Sequence, residues 1–120
     1  MERLWEKNYD FWYHSVNFQR MTVQDMLHCS AAVAPDKVAT DFFGTQITYY
    51  QLRLLSIKFA QALVKIGVKK GGRVCLQLPN SPQFAIAYFG TLMAGGIATL
   101  MNPLYTADEV NQLISITQPN

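Results

Sequence analysis

Apolar residues at Leu52, Leu55, Phe59, Leu63 and Ile66 recur at intervals of three and four, the spacing of one helical stripe. Thr48-Tyr49-Tyr50-Gln51 stands just before them as a capping box, with Ile47 and Leu52 at the staple positions. Gly67 closes this helix, and Val68-Lys69-Lys70-Gly71-Gly72 is the turn that follows. An earlier helix begins at Thr22, where Thr22-Val23-Gln24-Asp25 is a weaker box and Met21 and Met26 form the staple. Met26, Leu27 and Val33 can share one face, and Pro35 ends it. Between these helices the pattern predicts a hairpin: a strand over Lys37–Phe43, a two-residue Gly44-Thr45 turn with glycine first, and a partner strand at Gln46-Ile47.

Downstream the rhythm changes. Val74-Cys75-Leu76-Gln77-Leu78 is a short branched apolar run suited to a buried strand, broken by Pro79-Asn80-Ser81-Pro82. Ser81 is a good N-cap and Pro82 fits the first helical position, where its missing N–H costs nothing. From Gln83 to Ala94 the chain is apolar on nearly every face, so this helix should be covered on more than one side. Gly95-Gly96 ends it, Ile97–Met101 is a second strand, and Asn102-Pro103 stops that strand. Strand, helix and strand make a βαβ unit. A last helix starts at the capping box Thr106-Ala107-Asp108-Glu109, with Tyr105 and Val110 as staple and Val110, Leu113, Ile114 and Thr117 on one face.

The same stretch must be weighed against a membrane span, because residues 74 to 107 carry no formal charge. Phe84 to Met101 is near the lower length limit for crossing a bilayer, roughly 17–25 residues. Gly90, Thr91, Gly95, Gly96 and Thr99 inside the run, and the lack of basic clusters at its ends, favour the βαβ unit.

The fold class is therefore α/β, a hairpin plus a βαβ unit with parallel strands. Two parallel strands and a hairpin make a poor sheet, and parallel strands need both faces covered. The chain is expected to be the incomplete leading part of a larger domain, with residues 1–21 as an aromatic N-terminal arm and residues 22–120 as the domain segment. Trp5, Tyr9, Phe11, Trp12, Tyr13 and Phe18 in the arm follow no clean period and suit packing along a surface, its own or a neighbour's.

Only 15% of the residues are charged, against roughly 25% in typical soluble domains, which again points to surface meant for burial. The net charge of +2 is small and the basic residues are scattered, so no nucleic-acid partner is expected. Lys69-Lys70 with Arg73 is the densest basic cluster and reads as a solvated turn. Cys29 and Cys75 read as buried free thiols, and no signal peptide opens the chain, so a reducing cytoplasmic location is expected. His14 and His28 lack companions at metal-ligand spacing. Asp108 and Glu109 are explained by the helix start they occupy. The Gly71-Gly72 turn is no phosphate loop, since it precedes a strand rather than following one.

Ile47-Thr48-Tyr49-Tyr50-Gln51-Leu52 resembles the first core motif of the adenylate-forming enzymes, L-[TS]-Y-x-E-L, with Gln51 where Glu is usual. Leu92 to Pro103 resembles the second, L-K-A-G-x-x-x-x-P, and Gly67 to Val74 resembles G-V-x-x-G-D-R-V with Gly72 for Asp. Leu78-Pro79-Asn80-Ser81-Pro82-Gln83-Phe84, Asn102-Pro103-Leu104-Tyr105-Thr106 and the Trp5/Tyr9 opening look most like the long-chain fatty acyl-CoA ligase branch. The resemblance implies an AMP-forming ligase. It would activate a medium- or long-chain fatty acid with ATP and Mg²⁺ to an acyl-adenylate and pass the acyl group to coenzyme A.

In that family the phosphate loop, magnesium acid, ribose aspartate and adenylation lysine come after the segment seen here. No catalytic, cofactor-binding or metal-ligating residue is assigned, and these 120 residues alone are expected neither to bind a cofactor nor to catalyse. The implied partners are the remainder of the ligase domain or another subunit, with a homodimer through the arm open to it and membrane-surface association of the parent not excluded. Two rivals stand beside this reading. One is a non-catalytic interaction module that pairs with a full-length ligase through its sheet edge and aromatic arm. The other is a small membrane protein that uses residues 84 to 101. Ligands of open α/β sheets bind beyond the carboxyl ends of the strands, here Pro79-Asn80-Ser81 and Met101-Asn102-Pro103, although Asn80 and Asn102 also read as plain turn residues.

Overall fold

The computed structural model describes residues 20–119. The elements are α1 (Val23–Val33), β1 (Val38–Phe42), β2 (Thr45–Thr48), α2 (Tyr49–Lys65), β3 (Arg73–Leu76), α3 (Pro82–Met93), β4 (Ile97–Leu100) and α4 (Ala107–Thr117). The arm expected over 1–21 lies outside the described residues except for Arg20 and Met21, and so does His14.

Every described helix starts where a short polar side chain satisfies the first free amides. The Thr22 hydroxyl accepts from the Asp25 amide at 3.3 Å, and the Asp25 carboxylate accepts from the Thr22 amide at 3.0 Å. Thr48 and Gln51 repeat this at 3.2 and 3.0 Å, and Thr106 and Glu109 at 3.4 and 2.7 Å. Ser81 caps α3 by accepting from the Phe84 amide at 3.3 Å, with Pro82 in the first turn. These bonds span three residues, so the local sequence suffices to place them.

The hairpin turn differs from the expected one. Phe42 pairs with Thr45, so the turn residues are Phe43 and Gly44, not Gly44 and Thr45. Both have positive φ, 50° and 84°, the handedness that matches strand twist in a two-residue hairpin. Asp41 holds the turn, accepting from the Gly44 amide at 3.1 Å and from the Gln46 side-chain amide at 2.8 Å.

The core is built where α2 and α3 pack together, with α1 against both. The buried line of α2 is Leu52, Ser56, Ala60 and Leu63. Leu55 and Ile66, expected on the inner stripe, are instead exposed, Ile66 by 79%. On α1 the buried residues are Leu27 and Ala31, while Met26 and Val33 face outward. The reason is the closeness of the helices, which selects small residues over large ones at the crossing. Ser56 and Thr91 are fully buried, and each hydroxyl donates to a carbonyl of its own helix, at 2.8 and 2.7 Å. No polar group is left unmade by that burial. On α3 only Pro82, Ala87, Gly90 and Thr91 are fully covered, and the large apolar residues around them are half-buried.

β3 and β4 are parallel and adjacent, in register from Arg73 opposite Ile97 to Leu76 opposite Leu100. α3 connects them, as the βαβ reading expects. Both strands stop short of the expected Leu78 and Met101, although the Met101 amide still donates to the Leu76 carbonyl at 2.9 Å. Beyond that bond the prolines at 79 and 103 leave no ladder to extend. Because residues 84 to 101 divide between α3 and β4, they form no single span. No described helix is long and apolar enough to cross a membrane.

Among the described residues each sheet has two strands, β1 with β2 and β3 with β4. α4 lies by β3, its last turn fixed by Arg73, whose guanidinium donates to the Thr117 carbonyl at 3.0 Å. It has no fully buried residue; Val110, Leu113 and Thr117 are half-buried and Ile114 is 42% exposed.

Candidate functional site

Because β3 and β4 run the same way, their carboxyl ends open on one edge, and two loops frame it: Gln77–Ser81 and Met101–Thr106. Asn102 organises the second loop. Its side-chain oxygen accepts from the Leu104 amide at 2.9 Å, and its carbonyl accepts from the Tyr105 amide at 3.1 Å. Its reading as a turn residue holds. Gln77, read from sequence as a strand residue, instead ties the loops together, its side-chain amide donating to the Asn102 carbonyl at 3.4 Å. Only the register of two distant strands brings these residues together, so no local signal could have shown it. Asn80 is exposed at the bend before α3. The Ser81 hydroxyl accepts from the Phe84 amide and donates to the Pro79 carbonyl at 3.1 Å.

Behind this edge lies a groove of about 420 Å³, lined by Phe59 of α2, Leu76, Gln77 and Leu78, and Gln83 and Ile86 of α3. Its chemistry is apolar walls with neutral amides. Among the described residues the loops hold no lysine or arginine to meet a phosphate. No described cluster of His, Cys, Asp or Glu could hold a metal ion. The edge therefore does not fit ATP phosphates or Mg²⁺ by itself, and no chemical step follows from its residues.

The other candidates resolve in the same direction. Glu109 is committed to its capping box, where the Thr106 amide and hydroxyl hold its carboxyl below the usual range. Asp25 is lowered likewise, chiefly by the Thr22 side chain and then by its amide. The amides of Gly71 and Gly72 donate to the carbonyls of Gly95 and Lys69, both at 2.8 Å, so they offer nothing to an anion. The Gly72 carbonyl accepts from Ile97 at 2.7 Å and starts the parallel ladder. His28 is half-buried beside Ile57, Ala60 and Met93. Both described cysteines are free, but the expectation that both are buried is corrected. Cys29 is exposed because α1 turns Leu27 and Ala31 inward, and Cys75 is half-buried with its sulfur 3.8 Å from the Thr117 hydroxyl.

Comparison with known proteins places this geometry. The sequence profile of the AMP-binding enzymes matches residues 27–120. The long-chain-fatty-acid–CoA ligase of Bacillus subtilis (strain 168) is 42% identical over 97 residues, which is 81% of this chain and 17% of that protein. 4-Coumarate–CoA ligase 1 of Petroselinum crispum is 40% identical over 75 residues, 62% of this chain and 14% of that protein. The N-terminal domain of FACL13 from Mycobacterium tuberculosis superposes with a TM-score of 0.78 at 30% identity, over 82% of this chain and 26% of that one. The Klebsiella oxytoca NpsA-ThdA fusion shares the fold, with a TM-score of 0.81 at 22% identity over 86% of this chain and 20% of that one. The chain spans about a sixth of the length of the curated relatives it matches. The profile match over most of the chain, and the relatives' shared βαβ scaffold, show that it belongs to the AMP-binding enzyme family of adenylate-forming acyl-CoA ligases.

Proposed function

We propose that this chain is the leading scaffold of an AMP-forming acyl-CoA ligase that activates a medium- or long-chain fatty acid. In this reading the acid's carboxylate attacks the α-phosphate of ATP, pyrophosphate leaves, and the thiol of coenzyme A then displaces AMP from the acyl-adenylate. The groups that hold ATP and Mg²⁺ belong to the remainder of the ligase. Residues 20–119 contribute the β3–β4 edge, its apolar groove and the Gln77–Asn102 tie.

The observation that carries the substrate class is the extent of likeness. At the same coverage of 81% of the chain, the Bacillus subtilis fatty-acid ligase is 42% identical whereas the 4-coumarate ligases of Vanilla planifolia and Solanum tuberosum are 32% identical. The expectation of further domain structure is supported by the lack of a buried residue on α4 and by a parallel pair with only one neighbour per strand. The test is a segment exchange. Residues 1–120 replace the matching segment of the Bacillus subtilis ligase, and AMP release is measured with palmitate, octanoate and 4-coumarate. Activity on the fatty acids and little on 4-coumarate is expected. A folded exchange protein that releases no AMP with any fatty acid, or prefers 4-coumarate, would sink the reading.

A further inference from the structure

Where α1 meets the carboxyl halves of α2 and α3, another apolar groove, of about 400 Å³, stays open. His28 of α1, Ile57, Gln61 and Val64 of α2, and Met93 and Ala94 beside it line the groove. Val64, on its outer wall, is 57% exposed. Gln61 and Val64 also belong to a hollow farther out on α2, rimmed by Lys58 and Lys65 and by no residue of α1. The surface thus runs from an apolar groove beside α1 to a basic rim.

Residues 1–19, outside the described part, precede α1 and carry complementary side chains in the corresponding order. Six of the first eighteen residues are aromatic, against 12% of the whole chain. Read back from Thr22, Phe18, Tyr13, Trp12 and Phe11 come first, and only then the acids Asp10, Glu6 and Glu2. Those acids stand out because the chain has none between Asp41 and Asp108, the interval that holds both rim lysines. His28 stands six residues after Thr22, about 9 Å along the helix. An extended chain covers about 3.3 Å per residue, so Trp12 and Tyr13 reach the groove with chain to spare.

We infer that the chain's own arm folds back over α1, seats Trp12 and Tyr13 in the groove, and sets Asp10 and Glu6 against Lys58 and Lys65. Large rings offset the entropy lost in ordering a segment, because each covers more apolar area than other side chains. The charged rim fixes the direction in which the arm lies. Attachment to α1 holds the arm at a high effective concentration, which favours it over the arm of a second copy. The inference does not depend on which acid the ligase takes.

Trp5 and Trp12 are the chain's only tryptophans, so intrinsic fluorescence reads the arm, and with Trp5→Phe it reads Trp12 by itself. In that background acrylamide is expected to quench Trp12 at least about threefold less than in the urea-unfolded chain, whatever the chain concentration. Val64→Asp, at an exposed position, should raise the quenching at least about twofold while the chain melts within a few degrees of the parent. K58E/K65E should do the same, and adding E6K/D10K should lower it again, because the exchanged charges pair once more. Quenching as strong as in urea overturns the inference and leaves the groove to a later part of the ligase. So does protection that a folded Val64→Asp chain keeps, or protection that grows as the chain is concentrated and dimerises. Should Val64→Asp unfold, the charge exchange decides: protection indifferent to K58E/K65E, or not restored by E6K/D10K, overturns the inference.

Discussion

A Cβ built on Gly90 of α3 would stand 2.8 Å from the carbonyl oxygen of Ser56 on α2, and 2.7 Å from Cδ1 of Phe59. The first contact is with backbone and has nowhere to go, so the two helices can approach this closely only with glycine there. Gly90→Ala sets a helix-propensity gain of about 1 kcal/mol against an overpacking cost of about 1–3 kcal/mol. The cost wins. The alanine variant should lose about 1–2 kcal/mol in urea denaturation, and valine more; a midpoint unchanged or raised by alanine would show that the helices are not in contact here.

The buried hydroxyls at this crossing behave differently. Ser56 and Thr91 donate only to carbonyls that already belong to their own helices. Removing either hydroxyl strands no partner, so Ser56→Ala and Thr91→Val should each change stability by less than about 1.5 kcal/mol. Ser56→Leu, which adds volume where α3 sits, should cost about 1–3 kcal/mol or more. Thermal melts of the three variants separate these cases, and a loss above that bound for Ser56→Ala would mean the hydroxyl has another partner.

In the hairpin, Phe43 holds φ of 50° while its ring is 93% exposed. A left-handed backbone costs a non-glycine residue roughly 1–2 kcal/mol, and an exposed ring returns little. Phe43→Asn should therefore stabilise the fold by about 0.5–1 kcal/mol, whereas Gly44→Ala should destabilise it by about 1 kcal/mol. Opposite signs in a denaturation assay are the expected result; a loss from both would restore the Gly44-Thr45 turn.

Two of the three capping boxes should make stability depend on pH. The carboxyls of Asp25 and Glu109 are lowered in the folded chain by their threonine partners. A depressed carboxyl contributes stability that is present above its unfolded value, about pH 4, and is lost as pH falls through the folded value. The double variant D25N/E109Q should thus lose less stability than the parent between pH 6 and pH 2. Equal losses in urea titrations at the two pH values would refute this.

The third box supplies the reciprocal case, because Gln51 is neutral. Its side chain accepts from the Thr48 amide at 3.0 Å, as Glu would. Gln51→Glu keeps that bond and adds charge at the helix start, so it should stabilise α2 by about 0.3–1 kcal/mol at pH 7. The gain should vanish at pH 2. A gain of equal size at both pH values would mean that charge is not its source.

The sequence by itself determined where the helices begin and in what order the elements follow, but not the ends of the strands. The caps at Thr22, Thr48, Ser81 and Thr106 and the βαβ order follow from bonds and preferences spanning a few residues. The register of β3 with β4 then put the carboxyl ends on one edge, as the βαβ reading expected, but the Gln77–Asn102 tie joins residues that are neighbours only across the sheet. Periodicity named large apolar residues as the inner stripe of α2 and left Ser56 and Ala60 out. Tertiary structure chose the reverse for Leu55 and Ile66, because which face is buried depends on how near the partner helix can come. Capping is a property of a segment; burial is a property of what lies against it.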